Sequence, residues 1–195
     1  MTTRPGPDSQ GYRDPHGDFA LRIPARLPYA AAVPVLDLLD LPAACPPNTA
    51  WMALDLGEQT IGVATSDTSR MIASPLELIR KSKFTHEAER LFKLMAHRKV
   101  SGLVIGLPMN MDGTEGPRAQ SCRAFARNLI RLRDIPIAFW DERLSTSAVE
   151  RFLIDELDLS RKRRAGVVDR TAAAWILQGA LDRVRLLPPL HGERR

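Results

Sequence analysis

From Trp51 onwards, short apolar runs are separated by polar breaks. Residues 51–56 and 60–65 are short apolar runs separated by a break that contains Gly57, a pattern that predicts two strands of a hairpin. A third strand is expected over 71–79, after a turn at 66–70. The chain from Trp51 is therefore predicted to open with three strands in hairpin connection.

Two later segments repeat apolar residues every three or four positions, as amphipathic helices do. The first contains Ala88, Leu91, Phe92, Met95 and Ala96, and the second contains Cys122, Phe125, Ala126, Leu129 and Ile130. Residues 102–107 and 135–140 are apolar on both faces, as parallel strands require. Strands separated by helices predict right-handed crossovers.

Two more helices are expected towards the end of the chain. Ser147 and Glu150 form a capping box for one of them, and the other has an apolar face that begins at Ala172 and Ala173. The whole pattern predicts an α/β domain, with a mixed five-stranded sheet flanked by helices, over 49–188.

The flanking segments have a different composition. Residues 1–48 are rich in proline, which predicts a separate, partly disordered extension. Within it, 29–41 is apolar enough to form a short helix or to pack on the domain. Residues 189–195 are expected to be a tail.

The charge of the chain suits a polyanionic partner without requiring one, because 28 Lys and Arg residues outnumber 23 Asp and Glu residues, for a net charge of +5. Two cysteines, Cys45 and Cys122, are too few for a disulfide framework or a cysteine metal site. No apolar run approaches the length of a membrane span, and no signal segment is recognisable. We therefore expect a cytoplasmic protein with no membrane partner.

Asp55 interrupts the apolar run 52–56. An ionised carboxylate in such a place is costly unless a cation or hydrogen bonds compensate it, and a hard metal ion is one such compensator. Aspartate also caps tight turns through its own backbone, and the turn at Gly57 follows directly. Considered alone, Asp55 leaves both interpretations open.

Two further carboxylates occupy suggestive positions. Glu142 directly follows an apolar run, at the kind of strand end where sites assemble in open α/β sheets, although Asp141, Glu142 and Arg143 could equally form a solvated charge cluster. Asp169 precedes Ala172 and Ala173 by three and four residues, so it begins the apolar face of a helix and is expected to point inward. Its alternative is a helix N-cap.

Together, Asp55, Glu142 and Asp169 could hold Mg²⁺ or Mn²⁺, which prefer oxygen ligands and allow clustered carboxylates to stay ionised. Two such ions would orient a water for in-line attack on a phosphodiester. Asn110 and Gly113, in the loop after a central strand, could lie beside the scissile phosphate, or the loop could be a plain connection. Four consecutive cations could bind nucleic-acid phosphates or form a solvated loop: Arg161, Lys162, Arg163 and Arg164.

Over about 52–185, the chain resembles the YqgF/RuvX family of pre-16S rRNA nucleases, which are relatives of RuvC-type Holliday-junction resolvases. The matching pieces are LDLG at 54–57, IGVA at 61–64, SD at 66–67, ASPL at 73–76, VIGLP at 104–108, NMDGTE at 110–115, DERLST at 141–146, Asp169, AAA at 172–174 and ILQ at 176–178. Thr60 departs from the family, which usually has a basic residue there. Residues 1–48 have no counterpart in its usual short members.

This resemblance implies an RNase H-like fold and a metal-dependent nuclease with the acidic triad Asp55, Glu142 and Asp169. It also favours a nucleic-acid-binding role for Asn110 and Gly113. We assign Arg143 to the same nucleic-acid-binding surface. The expected activity is processing of the 5′ end of pre-16S rRNA in ribosome biogenesis, with Mg²⁺ or Mn²⁺ as cofactor, RNA as the favoured partner and a monomer or homodimer as the active form.

Three alternatives remain at this point. Holliday-junction cleavage would need a two-fold dimer that places two sites on opposite DNA strands. The hairpin around Asp55 and Gly57 is also similar to the phosphate loop of actin/hexokinase-type ATPases, which need two such domains. A non-catalytic nucleic-acid-binding module would retain the carboxylates only as caps and structural charges.

Overall fold

A computed structural model of the chain describes residues 35–141 and 161–186, and within 161–170 only the helical backbone. A 3-10 turn at Leu38–Asp40 leads into a short helix, α1 (Leu41–Ala44). The domain follows as β1 (Ala50–Leu56), β2 (Thr60–Ser66), β3 (Ala73–Arg80), α2 (Phe84–His97), β4 (Val100–Leu107), α3 (Pro117–Leu132), β5 (Ile137–Asp141) and α4 (Arg161–Leu186).

The strands form one five-stranded sheet in the order β3-β2-β1-β4-β5. The first three strands are antiparallel neighbours, whereas β4 is parallel to β1 and β5 is parallel to β4. An antiparallel meander extended by parallel crossover strands is the predicted mixed sheet. The RNase H-like fold expected from the sequence is confirmed.

Each face of the sheet has its own apolar core, because successive strand residues point to opposite faces. Met52 and Leu54 of β1 pack on the face covered by α2 and α3. Trp51 and Ala53 pack on the other face, with residues of α4. The members of this second core are Leu41, Cys45, Trp51, Ala53, Ala64, Val104, Ala138, Trp140, Ala173, Ile176, Leu177, Ala180 and Leu181.

Two strand boundaries differ from the sequence prediction, for identifiable reasons. β3 begins at Ala73 rather than at Met71, because Asp67 Oδ1 accepts hydrogen bonds from the backbone N–H groups of Met71 (2.8 Å) and Ile72 (2.9 Å) and keeps both in the turn. β5 begins at Ile137 rather than at residue 135, since Pro136 has no N–H to donate. The helix predicted after Ser147 lies outside the described residues.

The last helix begins earlier than predicted. α4 starts at Arg161, so Asp169 lies in its interior, eight residues after the first, and the N-cap alternative for Asp169 is wrong. Placing this carboxylate at a helix start is wrong for the same reason. Arginine and lysine are good helix formers, so the helix can include the cations at 161–164.

The segment before β1 packs against the domain. Leu36 makes a parallel bridge to Ala138 at the outer edge of β5, and its N–H donates to Ile137 O at 2.8 Å. Leu41 and Cys45 are buried in the second core. The domain boundary expected at 48 stays a prediction. In the described ranges, no helix is both long and apolar enough to cross a membrane.

Candidate active site

Asp55 is the penultimate residue of β1 and is partly buried. Strand alternation places it on the α4 face, after Trp51 and Ala53. Its partner on β2 is Gly62. On the other side, Leu54 pairs with Ile105, so the β4 residue next in line is Gly106. Asp55 therefore has a glycine beside it on each neighbouring strand, Gly62 on β2 and Gly106 on β4.

The turn after β1 is closed by the backbone. The N–H of Gly57 donates to the carbonyl oxygen of Asp55 at 3.2 Å. A Cβ at Gly57 would lie 3.2 Å from Thr60 O, which accounts for a glycine at this tight position. Any residue type at 55 could supply that carbonyl, so this turn alone does not explain an aspartate there.

The end of β5 lies at the same end of the sheet. Asp141 pairs with Leu107 at the end of β4. Within β5, Phe139 packs with the α2 and α3 core, whereas Trp140 packs with the α4 core. Alternation then directs Asp141 to the α2 and α3 face, opposite to Asp55. Glu142 and Arg143 follow directly and lie outside the described residues.

The C-terminal half of α4 is fixed beside the beginning of β1. Gln178 Oε1 accepts from the Ala73 N–H at 2.9 Å, and Gln178 Nε2 donates to Met71 O at 3.2 Å. Ala73 pairs with Ser66, whose Oγ accepts from the N–H of Trp51 at 3.0 Å. These bonds hold the C-terminal half of α4 against the turn between β2 and β3, beside the beginning of β1.

The loop after β4 is held together by its own hydrogen bonds. Asn110 Nδ2 donates to Thr114 Oγ1 at 2.9 Å, and the Gly113 N–H donates to Asn110 O at 2.9 Å. Asp112 Oδ1 accepts from both the N–H (2.9 Å) and the hydroxyl (2.6 Å) of Thr114. Gly113 has a φ of 84°, which favours glycine. Asn110 and Gly113 therefore shape a loop that its own hydrogen bonds close, at the end of the sheet where Asp55 lies.

An ion pair attaches the end of this loop to α3. Arg123 Nε donates to Glu115 Oε2 at 2.7 Å, and a second bond joins Arg123 Nη2 to Glu115 Oε1. These bonds lower the pKa of Glu115 and raise that of Arg123. The same guanidinium lies 4.7 Å from the ring centre of Phe139. Arg123 is therefore a structural cation that joins the loop, α3 and β5.

The structure thus describes only part of the predicted site. Asp55 is at a strand end, Asp169 is in the α4 backbone without a described side chain, and Glu142 is not described. Within 35–141 and 171–186, no group of three or more His, Cys, Asp or Glu side chains could hold a metal ion. The cations Arg161, Lys162, Arg163 and Arg164 form the first turn of α4 rather than a loop.

Sequence reasoning missed the contribution of Gly62 and Gly106. Both lie in the motifs IGVA and VIGLP, but only the register of β1, β2 and β4 shows that they flank Asp55. A glycine inside an apolar strand is the signal that could have found them, because it often marks a close approach of a ligand or of backbone.

The structure is an RNase H-like domain with a carboxylate, that of Asp55, at the end of its central strand. The chain matches the RuvX family, described as Holliday junction resolvase, over residues 49–183, and it belongs to that family. The family resemblance inferred from the sequence motifs is confirmed. The protein is a nuclease, a hydrolase that acts on phosphodiester bonds.

Similar proteins cover almost the whole domain. A candidate pre-16S rRNA nuclease of Phenylobacterium zucineum is 70% identical over 154 residues, which are 78% of this chain and 99% of that protein. The one from Caulobacter vibrioides is 64% identical over 154 residues, with the same shares of the two chains. Among solved structures, Thermus thermophilus RuvC in complex with a Holliday junction substrate has a TM-score of 0.46 and 11% identity, covering 73% of this chain and 99% of that chain.

Proposed function

We propose that this nuclease processes the 5′ end of pre-16S rRNA and uses Mg²⁺ or Mn²⁺ held by Asp55, Glu142 and Asp169. The observation that carries the catalytic part is the position of Asp55, at the end of the central strand, on the α4 face and between two glycines. The substrate rests on the names of the relatives that are 56–70% identical to this chain.

The length of α4 supports Asp169 as a partner of Asp55. Gln178 lies level with the start of β1, and Asp169 precedes it by nine residues, a rise of about 14 Å along a helix. From Trp51 to Asp55, β1 advances by four residues, or about 13 Å. Position 169 is also one turn before the buried Ala173. These lengths along one continuous helix support our assignment of Asp169 as the partner of Asp55.

The alternation in β5 favours Glu142 over its neighbour. Trp140 packs on the α4 face and Asp141 falls on the opposite face. Asp141 is therefore not directed to the face on which Asp55 lies, and it is not positioned to share a metal ion with Asp55. We therefore assign metal binding to Glu142 and not to Asp141.

Three carboxylates suit a hard divalent cation, which prefers oxygen ligands and keeps waters and phosphate oxygens in its remaining positions. The bound metal would supply an activated water and stabilise negative charge on the phosphate oxygens. The chain's own groups bind and orient the substrate. Arg143 and the cations at 161–164 attract the phosphates, and Asn110 and the Gly113 backbone position the RNA beside the site.

The substrate is tested by presenting three nucleic acids to the wild-type protein: pre-16S RNA with its 5′ extension, single-stranded RNA of unrelated sequence, and a four-way DNA junction. Each is incubated with Mg²⁺, with Mn²⁺ and with EDTA. We expect metal-dependent shortening of the 5′ extension and no cleavage of the junction. Symmetric cleavage of the junction by a dimer would instead support the resolvase activity that the family description names.

A further inference from the structure

Three cations lie close together where β3 ends and the connection to α2 begins. Arg80 is the last residue of β3, and Lys81 and Lys83 follow it; we call these three residues the β3-end cations. Arg80 and Lys83 are exposed, and Lys81 is half-buried. Among the residues that the structure describes, none of the three side chains takes part in an ion pair. Their charges can therefore serve a partner outside the domain.

The strand register places the β3-end cations at the same end of the sheet as Asp55. Asp55 of β1 pairs with Gly62 of β2, and Gly62 pairs with Leu78 of β3. Because β1 and β3 both run antiparallel to β2, they run in the same direction, and Arg80 lies two residues beyond this row. Strand geometry then separates Arg80 from Asp55 by about 10 Å across the sheet and about 7 Å along it.

Arg80 also lies on the face of the sheet that carries Asp55. Its neighbour Ile79 is buried in the core beneath α2 and α3, so strand alternation directs Arg80 to the α4 face. The register agrees, because Arg80 pairs with Thr60, which is two residues from Gly62 and therefore on the same face as Gly62 and Asp55. A polyanion that crosses this end of the sheet over Asp55 towards β3 meets Arg80.

The backbone that carries Lys81 and Lys83 is held by hydrogen bonds. The Lys81 N–H donates to the carbonyl oxygen of Gln59, in the turn between β1 and β2, at 2.8 Å. The Ser82 N–H donates to Oε1 of the buried Glu87 at 2.6 Å. A connection that is already ordered loses less conformational entropy when its side chains bind a ligand. The two lysines are therefore presented from a preorganised segment.

The local charge around this segment is positive. Residues 78–86 contain the three β3-end cations and no Asp or Glu, and the neighbouring turn at 57–59 contributes one exposed carboxylate, that of Glu58. Because the protein is a nuclease, the polyanion that it must hold is the sugar-phosphate backbone of its substrate. Lysine and arginine contacts with phosphates fix the register of a nucleic acid and supply sequence-independent affinity.

We propose that the β3-end cations bind phosphates of the RNA substrate on one side of the cleavage site, at the β3 side of Asp55. This inference rests on the proposed function, because it takes Asp55 as the catalytic position. The β3-end cations hold and align the strand and take no part in the hydrolysis itself. The cations assigned from the sequence follow β5 or begin α4, so the β3-end cations add contacts along another part of the RNA.

The test measures binding of a pre-16S RNA fragment with its 5′ extension to the full-length protein in EDTA, by fluorescence anisotropy at several salt concentrations. The neutral variant combines Arg80→Gln, Lys81→Gln and Lys83→Gln. Its Kd at low salt is expected to rise by about tenfold or more. The slope of log Kd against log salt is expected to fall by about 2, since each phosphate of a single strand contributes about 0.7. A wild-type slope overturns the inference.

A matched control removes the same number of charges elsewhere. It combines Arg98→Gln, Arg127→Gln and Arg131→Gln, three exposed cations that follow α2 or lie in the second half of α3. This control is expected to keep the wild-type slope. An equal fall of the slope in the control and in the neutral variant would show that only the net charge matters, and would overturn the inference.

A charge-conserving variant separates phosphate binding from a structural role. It combines Arg80→Lys, Lys81→Arg and Lys83→Arg, and it is expected to retain the wild-type salt slope, whereas loss of the slope in this variant overturns the inference. In Mn²⁺-dependent cleavage, the neutral variant is expected to have a KM raised by about tenfold or more and an unchanged kcat. A lowered kcat with an unchanged KM would contradict a binding role. Thermal unfolding confirms that each variant is folded.

Two further measurements locate the contact and separate the possible failures. RNAs shortened on either side of the cleavage site are bound to the wild type and to the neutral variant. The difference between the two proteins is expected to disappear with one shortened RNA only, and a difference that survives both truncations overturns the inference. If folded Asp55→Asn cleaves like the wild type, the proposed function fails. If Asp55→Asn is inactive and the neutral variant binds normally, only the role of the β3-end cations fails.

Discussion

Arg70 donates a hydrogen bond from Nε to the carbonyl oxygen of Thr49 at 2.9 Å and thereby joins the β2–β3 connection to the residue that precedes β1. Its Nη2 also donates to Thr49 Oγ1 at 2.9 Å, and its guanidinium lies 5.1 Å from the ring centre of Trp51. Thr49 in turn shares a 2.6 Å hydrogen bond with Ser101. Arg70 therefore fixes the segment before β1 to the sheet.

Replacing Arg70 by methionine keeps the apolar stem and removes the hydrogen-bonding fork. We expect the free energy of unfolding to fall by about 1–3 kcal/mol, because carbonyl acceptors lose a charged donor. Urea denaturation measures this change. Arg127→Met, on the exposed face of α3, is the control and should change stability by less than about 0.5 kcal/mol. Equal effects of the two substitutions would contradict the role of Arg70.

Asp67 organises the β2–β3 turn and responds to acid. Hydrogen bonds from the backbone of Ile72, from Ser69 and from the backbone of Met71 lower the pKa of Asp67 to about 2. An aspartate in the unfolded chain titrates near pH 3.9, so between these values the folded state binds fewer protons than the unfolded state. The stabilisation by Asp67 is therefore complete above pH 4 and is lost as the pH falls towards 2.

This pH dependence is measured by urea denaturation of the wild type and of Asp67→Asn at several pH values. The wild type should be the more stable at pH 6, and its advantage should shrink as the pH approaches 3. Asp182→Asn, which removes an exposed carboxylate paired with Arg185, controls for the change in charge. An advantage that is constant from pH 6 to pH 3 would be inconsistent with a lowered pKa.

Gly102 and Cys45 should show coupled effects on stability. Burial raises the pKa of the Cys45 thiol, which therefore stays neutral and packs as a small apolar group. Gly102→Ala forces a methyl group against its sulfur and should cost about 1–3 kcal/mol. Cys45→Ala in the same chain removes the sulfur, so the double variant should be more stable than the sum of the single effects. Simple additivity in urea denaturation would contradict the contact.

The sequence was informative wherever a local pattern had a single structural solution. The two apolar runs on either side of Gly57 predicted the hairpin of β1 and β2, and the apolar run at 102–107 predicted a parallel strand, because such patterns suit few other structures. The sequence alone did not predict that β3 begins at Ala73. That boundary depends on Asp67 capturing two backbone N–H groups five residues or fewer away.

Long-range packing accounts for the other differences. The start of α4 was placed too late, because the apolar pattern that marks the helix in the sequence begins only at Ala172 and Ala173, whereas the helix begins at Arg161. The burial of Leu41 depends on α4, which lies far along the chain, so local apolarity could only suggest packing. The glycines beside Asp55 became meaningful only through the register of three strands.

The cations at the start of α4 should contribute to RNA binding through the phosphates. Exchanging Arg163 and Arg164 for glutamine should reduce the slope of log Kd against log salt by about 1.4, since each neutralised phosphate of a single strand contributes about 0.7. Arg98→Gln, an exposed cation after α2, is the matched control and should leave the slope unchanged. Identical slopes for all three proteins would exclude a contribution of 163 and 164.

The central claim is that Asp55 is a metal-binding catalytic carboxylate at the end of β1. The most direct measurement compares wild type, Asp55→Asn and the control Asp182→Asn for RNA binding and for Mn²⁺-dependent cleavage of the same pre-16S RNA. The account predicts that Asp55→Asn binds RNA at least as tightly as wild type and does not cleave it, whereas Asp182→Asn does both normally. Wild-type cleavage by folded Asp55→Asn would contradict it.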